Sequence, residues 1–320
     1  MSYLIFHGSN FIFDLGNLYN IHLNNMAKRA VTTTKEYLKA ATLPTYEGDT
    51  YTVIPHEFVI NETLKNLGAQ GFNIKNELYR CNHNANIAQG VYHLDYANDP
   101  DMGMMFAWSN SYDKSMRFKC AIGGYVFICS NGVIRGDMGN WGRKHTGSAD
   151  SDTIDTINSQ IGKAKEYYKQ LVYDKETMKE IIVSDTVRAQ LIGRLYLEED
   201  LLNSEQLSII KQQFQLPTYD YNADKKSLWT LYNHITYSLR ASHPKNWLDN
   251  QRLVHWFFTQ EYGIKLLNIQ DEQPNEVTEV KPETVVITES VQEVQQPANQ
   301  LDLLDVIKEI EDSEGNLNHL

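Results

Sequence analysis

Apolar positions along the chain first repeat with a helical period and then with a strand period. Phe58, Leu64 and Leu67 can share one face of a helix running from Pro55 to Leu67, with Gly68 as its stop. Thr45 to Ile54 precedes it as a loop. The period then changes: Phe72, Ile74 and Leu78 fall at even positions, as on one face of a strand. Asn82 to Asn86 is a polar turn, Val91 to Tyr96 a second strand and Met104 to Trp108 a third. Arg117 to Ile122 and Tyr125 to Ser130 flank Gly123-Gly124, a two-residue hairpin signal. Asn131-Gly132 marks a further turn before the short run Val133 to Arg135. These segments predict an antiparallel sheet of about five strands.

Beyond residue 150 the helical period returns. Ile154, Ile157, Ile161, Ala164, Tyr168 and Leu171 follow a 3-4-3-4-3 spacing, which predicts one helix with Asp152 as its N-cap. Val187, Leu191 and Leu195 continue the pattern in a second helix. Asn203 and Gln206 form a capping pair before Leu207, Ile210 and Phe214, and Pro217 ends that helix. Ser227 caps a segment carrying Leu228, Leu231, Tyr232, Ile235 and Leu239. His243-Pro244 breaks it, and Trp247 to Phe258 forms a last helix. The predicted class is α+β: an N-terminal arm over 1–44, a sheet region over 45–150, and a helical region over 151–268 packed on the sheet.

Residues 269–320 change character. Glu, Val, Gln, Pro and Thr dominate and aromatics are absent, so the segment cannot offset its ordering entropy and is expected to be disordered. Leu301, Leu303, Leu304, Ile307 and Ile310 form a short amphipathic exception over 301–310, read as a partner-docking motif or as a terminal helix resting on its own body. At the other end, Met26-Ala27-Lys28-Arg29-Ala30 reads like a fresh start, so residues 1–25 are either an ordered arm or an extension before the true initiator.

Charge divides the chain in the same place. Residues 271–320 hold 13 acidic and 2 basic residues, so most of the net −12 lies there and the body is near neutral. Overall acidity therefore does not exclude a nucleic-acid partner, because affinity follows local charge. A hydrophobic content of 42% supplies a core, and no run of about 18 apolar residues predicts a membrane span. Cys81, Cys120 and Cys129 have no CxxC pairing and read as buried, reduced thiols of a cytoplasmic protein. His83 and His93 lie near Cys81 without completing a zinc ligand set.

Between Lys114 and Gly147 stand Lys114, Arg117, Lys119, Arg135, Arg143 and Lys144, against the single acid Asp137. Arg117 and Lys119 alternate with Phe118 and Cys120, so on a strand the bases share a face. Tyr112 and Trp141 are the stacking candidates. A basic groove with exposed rings suits single-stranded nucleic acid, because cations neutralise phosphates and flat side chains stack on bases. Against this, strand charges commonly face solvent and strand aromatics commonly form the core. Gly139, Gly142 and Gly147 near Arg143 also fit a loose anion pocket, with no P-loop spacing. Catalytic signals are thin. Asp95, Asp99, Asp101, Asp113 and Asp137 bind Mg²⁺ only if the fold gathers them. His234, His243 and His255 make no HxxxH pair, and no GxSxG or HExxH motif is present, so no enzyme and no cofactor are expected.

Asn110-Ser111-Tyr112-Asp113-Lys114-Ser115, Cys129-Ser130-Asn131-Gly132 and Arg143-Lys144-His145-Thr146 resemble motifs of the phage- and plasmid-associated family catalogued as domain of unknown function 932. The resemblance spans roughly 50–260 and implies a mobile-element origin but no catalytic residue. Lys114 replaces the family's Gly, which points away from a tight φ > 0 turn there, and Lys144 is inserted between Arg143 and His145. The helix–sheet–helix order is loosely similar to phage single-strand annealing proteins, a likeness of topology alone. The resulting expectation is a cytoplasmic protein of a bacterial host that binds single-stranded nucleic acid in replication or recombination. The alternative is a protein–protein module, such as a host-defence antagonist or virion-associated factor, with the tail as its working part; homo-oligomerisation is compatible with both.

Overall fold

The computed structural model describes residues 31–46, 51–96, 98–135, 142–143 (backbone) and 149–267. The expected N-terminal segment 1–25, Trp141, Lys144, Asp137 and the 301–310 motif lie outside the described residues.

Among the described residues, seven strands form one antiparallel sheet: β1 (Val31–Thr33), β2 (Ile74–Cys81), β3 (Ile87–Leu94), β4 (Met102–Ser111), β5 (Phe118–Val126), β6 (Gly132–Val133) and β7 (Gly142–Arg143). The first six lie in chain order across the sheet, and β7 pairs with β5 at Phe118 and Lys119. Two helices come early, α1 (Lys35–Lys39) and α2 (His56–Ala69). Among the described residues six follow the sheet: α3 (Ala149–Gly162), α4 (Ala164–Glu180), α5 (Asp185–Leu197), α6 (Ser204–Gln215), α7 (Leu228–Ser238) and α8 (Pro244–Glu261). The class is α+β, as the periodicity predicts.

The central strands β3, β4 and β5 are buried on both faces. Even-numbered positions of β4 and β5, Phe106, Trp108, Phe118 and Ile122, join the main core with Val59, Ile157, Leu171 and Trp229 from the helices. Odd positions, Met105, Ala107, Ala121 and Tyr125, form a smaller core under Trp247 and Leu248 of α8. Burial on both sides hides the two-residue alternation in β4, which is why the sequence predicts only its middle.

Several expectations need correction. Gly123-Gly124 is no hairpin turn: both lie inside β5, opposite Met105 and Met104. A Cβ on Gly123 would sit 2.7 Å from the Val133 carbonyl, and one on Gly124 2.5 Å from Met102 Sδ. These glycines admit close neighbours rather than reverse the chain. The turn falls at 127–130, where Ser130 takes φ 56. The predicted 154–171 helix is two helices broken at Lys163, and Asp152 lies inside α3 rather than capping it. Residues 31–39, read as an arm, supply the edge strand β1 and the short helix α1 with Leu38 buried. The Asn203–Gln206 capping box and the Ser227 cap form as predicted. All three cysteines are free and buried.

Candidate nucleic-acid interface

One row of polar side chains crosses the sheet in register: Arg80 of β2 opposite Gln89, Gln89 opposite Ser109, Ser109 opposite Lys119. This row anchors the entry to α8. Arg80 Nη2 donates to the carbonyls of Arg240 (3.2 Å) and Ser242 (2.8 Å). Ser109 Oγ donates to the Pro244 carbonyl at 3.1 Å, and Lys119 pairs with Asp249. Gln89 is buried in the middle of the row, its Oε1 without a hydrogen-bond partner among the described residues.

At the start of α8, His243 Nδ1 accepts from the Lys245 N–H at 3.2 Å and caps the helix. Burial pushes the His243 pKa down, Arg80 and Lys245 push it further down, and Asp113 opposes them. The ring is thus neutral near pH 7, which suits an Nδ1 that must accept. The contacts of Arg80, Ser109 and Lys119 bring β2, β4 and β5 against the start of α8.

The loop from Tyr112 to Arg117 forms the other side of that face. Asp113 Oδ1 accepts from the Ser115 N–H at 3.0 Å, and Ser111 Oγ donates to the Met116 carbonyl at 3.1 Å. Lys114 takes φ 63, so the left-handed turn exists although a lysine stands in it. Its ammonium rests 4.1 Å from the Tyr46 ring centroid and 5.4 Å from that of Tyr51, a cation–π arrangement. The two rings meet edge to face and are tied to the loop by hydroxyl bonds to the Tyr112 and Ser111 carbonyls. Burial pushes the Tyr51 hydroxyl up to about 12, so it stays a donor. Lys114 and Arg117 are exposed. Arg240, also exposed, lies over the half-buried Tyr237 ring at 4.5 Å.

Of the residues singled out from the sequence, Lys114 and Arg117 stand on this face, and Arg143 has its backbone opposite Phe118, beside Lys119. Others are corrected. Tyr112 is 1% exposed, stacked on His56, and offers no ring to a base. Arg135 is buried against Asp174 at 2.6 Å, with His255 Nε2 3.0 Å from the same oxygen, so it contacts no phosphate. Lys119 is shared with Asp249. Asp99 and Asp101 meet on Lys175, and Lys179 also pairs with Asp101, so these two carboxylates are held by ammonium groups. Among the described residues no group of three or more His, Cys, Asp or Glu is placed to hold a metal ion.

Sequence reasoning missed Arg80, Arg240, His243 and Lys245. The signal was available: from Lys225 to Leu248 there is no acid, the same feature that drew attention to 114–147. Among the described residues no helix is long and apolar enough to cross a membrane.

A protein-family model described as Domain of unknown function (DUF932) matches residues 46–252. No curated protein and no solved structure matches the chain.

Proposed function

The chain belongs to the DUF932 family, whose description assigns no activity, and on that premise we propose from its own residues that it binds single-stranded nucleic acid, in replication or recombination of a mobile element. Lys114, Arg117, Arg240 and Lys245 contact phosphates, and the half-buried rings of Tyr46, Tyr51 and Tyr237 serve for stacking. The observation that carries the reading is the placement of exposed cations directly over aromatic rings, Lys114 on Tyr46 and Arg240 on Tyr237. The nearest acid on α8, Asp249, is already neutralised by Lys119. Phosphate neutralisation supplies affinity without sequence preference, and ring stacking selects unpaired bases.

The test is fluorescence anisotropy of a labelled single-stranded oligonucleotide over a salt series. Arg117→Ala and Lys245→Ala are each expected to weaken binding and to reduce the log–log salt slope by about 0.7. Absence of binding at low salt, both by the native chain and by a full chain with its tail acids neutralised, would overturn the reading in favour of a protein–protein module.

A further inference from the structure

The two sides of the sheet end differently. Along β5, β7 pairs with Phe118 and Lys119 and β6 with Gly124 and Tyr125, and between them the Ile122 N–H donates to Gln160 Oε1 at 3.3 Å. Along β2, β1 covers only Tyr79, Arg80 and Cys81. Thr34 then caps α1 and the chain leaves the sheet. Ile74–Leu78 of β2 therefore have β3 on one side and, among the described residues, no strand on the other. Lys75, Asn76 and Leu78 are exposed, Leu78 by 41%.

We infer that this open edge pairs with the same edge of a second copy of the chain, antiparallel about a two-fold axis through Asn76. The pairing needs no nucleic acid.

The residues of the edge select the occupant. Ile74-Lys75-Asn76-Glu77-Leu78 reads apolar, basic, polar, acidic, apolar. Centred on Asn76, an antiparallel pairing sets Lys75 opposite Glu77 and Ile74 opposite Leu78, each twice. Moving the centre to Lys75 or to Glu77 sets like charges opposite each other, so the register is fixed. Lys75 sits where β2 bulges against β3. A lysine at a bulge turns most strands away from an edge, and it admits one that brings a carboxylate opposite it, as the second copy does. Glu77 is already engaged within its own chain: Lys35 lies at 2.8 Å, and the Tyr79 hydroxyl donates to it at 2.6 Å. Its side chain is still 26% exposed, so the second copy's Lys75 joins an existing pair and adds register more than affinity. The attraction comes from the backbone ladder and from covering Leu78.

The ladder is short. Thr33 stands opposite Tyr79, so pairing stops at Leu78, after about 17 Å of strand. Such a contact is small for a permanent dimer, and the association is weak and reversible.

The experiment uses the full chain. Sedimentation velocity from about 1 to 500 µM should show a monomer–dimer equilibrium. Hydrogen exchange at amides of 74–78 should slow at least fivefold between the lowest and highest concentrations. Lys75→Glu, an exposed change that sets Glu opposite Glu77, should weaken association at least tenfold. Asn76→Cys places two thiols across the axis, while those of Leu78→Cys lie roughly 14 Å apart along the strands. Mild oxidation should therefore link the first variant at least tenfold faster than the second, the three native cysteines being buried. A chain that stays monomeric throughout would overturn the inference. So would a dimer whose exchange at 74–78 ignores concentration, an undiminished Lys75→Glu dimer, or equal linking of the two cysteine variants.

Discussion

His56 and Tyr112 lie ring on ring, centroids 3.9 Å apart and 12° from parallel, and the Tyr112 hydroxyl accepts the backbone N–H of His56 itself at 2.7 Å. His56 is the first residue of α2, and the preceding Pro55 makes no side-chain cap. The tyrosine thus satisfies a helix-start N–H from 56 residues away. Asn110 completes the arrangement: its Nδ2 donates to the Ile54 carbonyl at 2.7 Å and to His56 Nδ1 at 3.0 Å, which leaves His56 Nε2–H to donate to Ala85 at 2.9 Å. The Asn110-Ser111-Tyr112 motif therefore joins the sheet to α2.

Tyr112→Phe keeps the stacked ring but strands a buried N–H. We expect a loss of about 1–3 kcal/mol in urea unfolding, with oligonucleotide binding unchanged once the protein is folded. A loss of binding with stability intact would return Tyr112 to the interface.

Gly90→Ala tests a close approach. A Cβ there would lie 2.5 Å from Trp108 Nε1, and the indole is fixed by its bond to the Tyr92 hydroxyl at 3.1 Å. Neither strand can yield without moving the ladder, so destabilisation of about 1–3 kcal/mol is expected. A shift in the urea midpoint measures it.

Arg135→Ala would leave Asp174 in a fully buried site with His255 and Gln170 as its remaining partners among the described residues. Removing one partner of a buried ion pair costs about 3–5 kcal/mol. Thermal unfolding should show a large drop in Tm, and the salt slope of oligonucleotide binding should not change, since this cation faces the core.

Acid sensitivity follows from two buried histidines. Burial lowers His93 and His234 to about 4 each, and for His234 the charge of Arg188 adds to it. Neither ring nitrogen of His234 has a hydrogen-bond partner among the described residues. The unfolded chain binds these protons near pH 6.5 and the folded one only near 4, so stability is full above pH 6.5 and falls as pH drops toward 4. The expected slope is about 1.4 kcal/mol per pH unit for each histidine. Urea titrations at pH 7, 6 and 5 check it, and His234→Phe should remove roughly half of the dependence attributed to the pair.

The succession of a helix, a sheet and a helical region, the α+β class, the Asn203–Gln206 and Ser227 caps and the charge division between body and tail were legible in the sequence. Each rests on neighbours within about four residues or on composition, and short-range chemistry is what a linear pattern records. What the sequence could not decide was which cations the fold pairs with distant acids. Lys119 is matched by Asp249 and Arg135 by Asp174, partners 130 and 39 residues away, while Lys114 and Arg117 were left exposed and Arg80 and Lys245 were brought to join them. The same holds for Gly123-Gly124, whose local grammar says turn but whose neighbours Val133 and Met102 require bare backbone in a continuous strand. Pairing of charges and close packing of backbones depend on distances through space, and only the folded chain sets those.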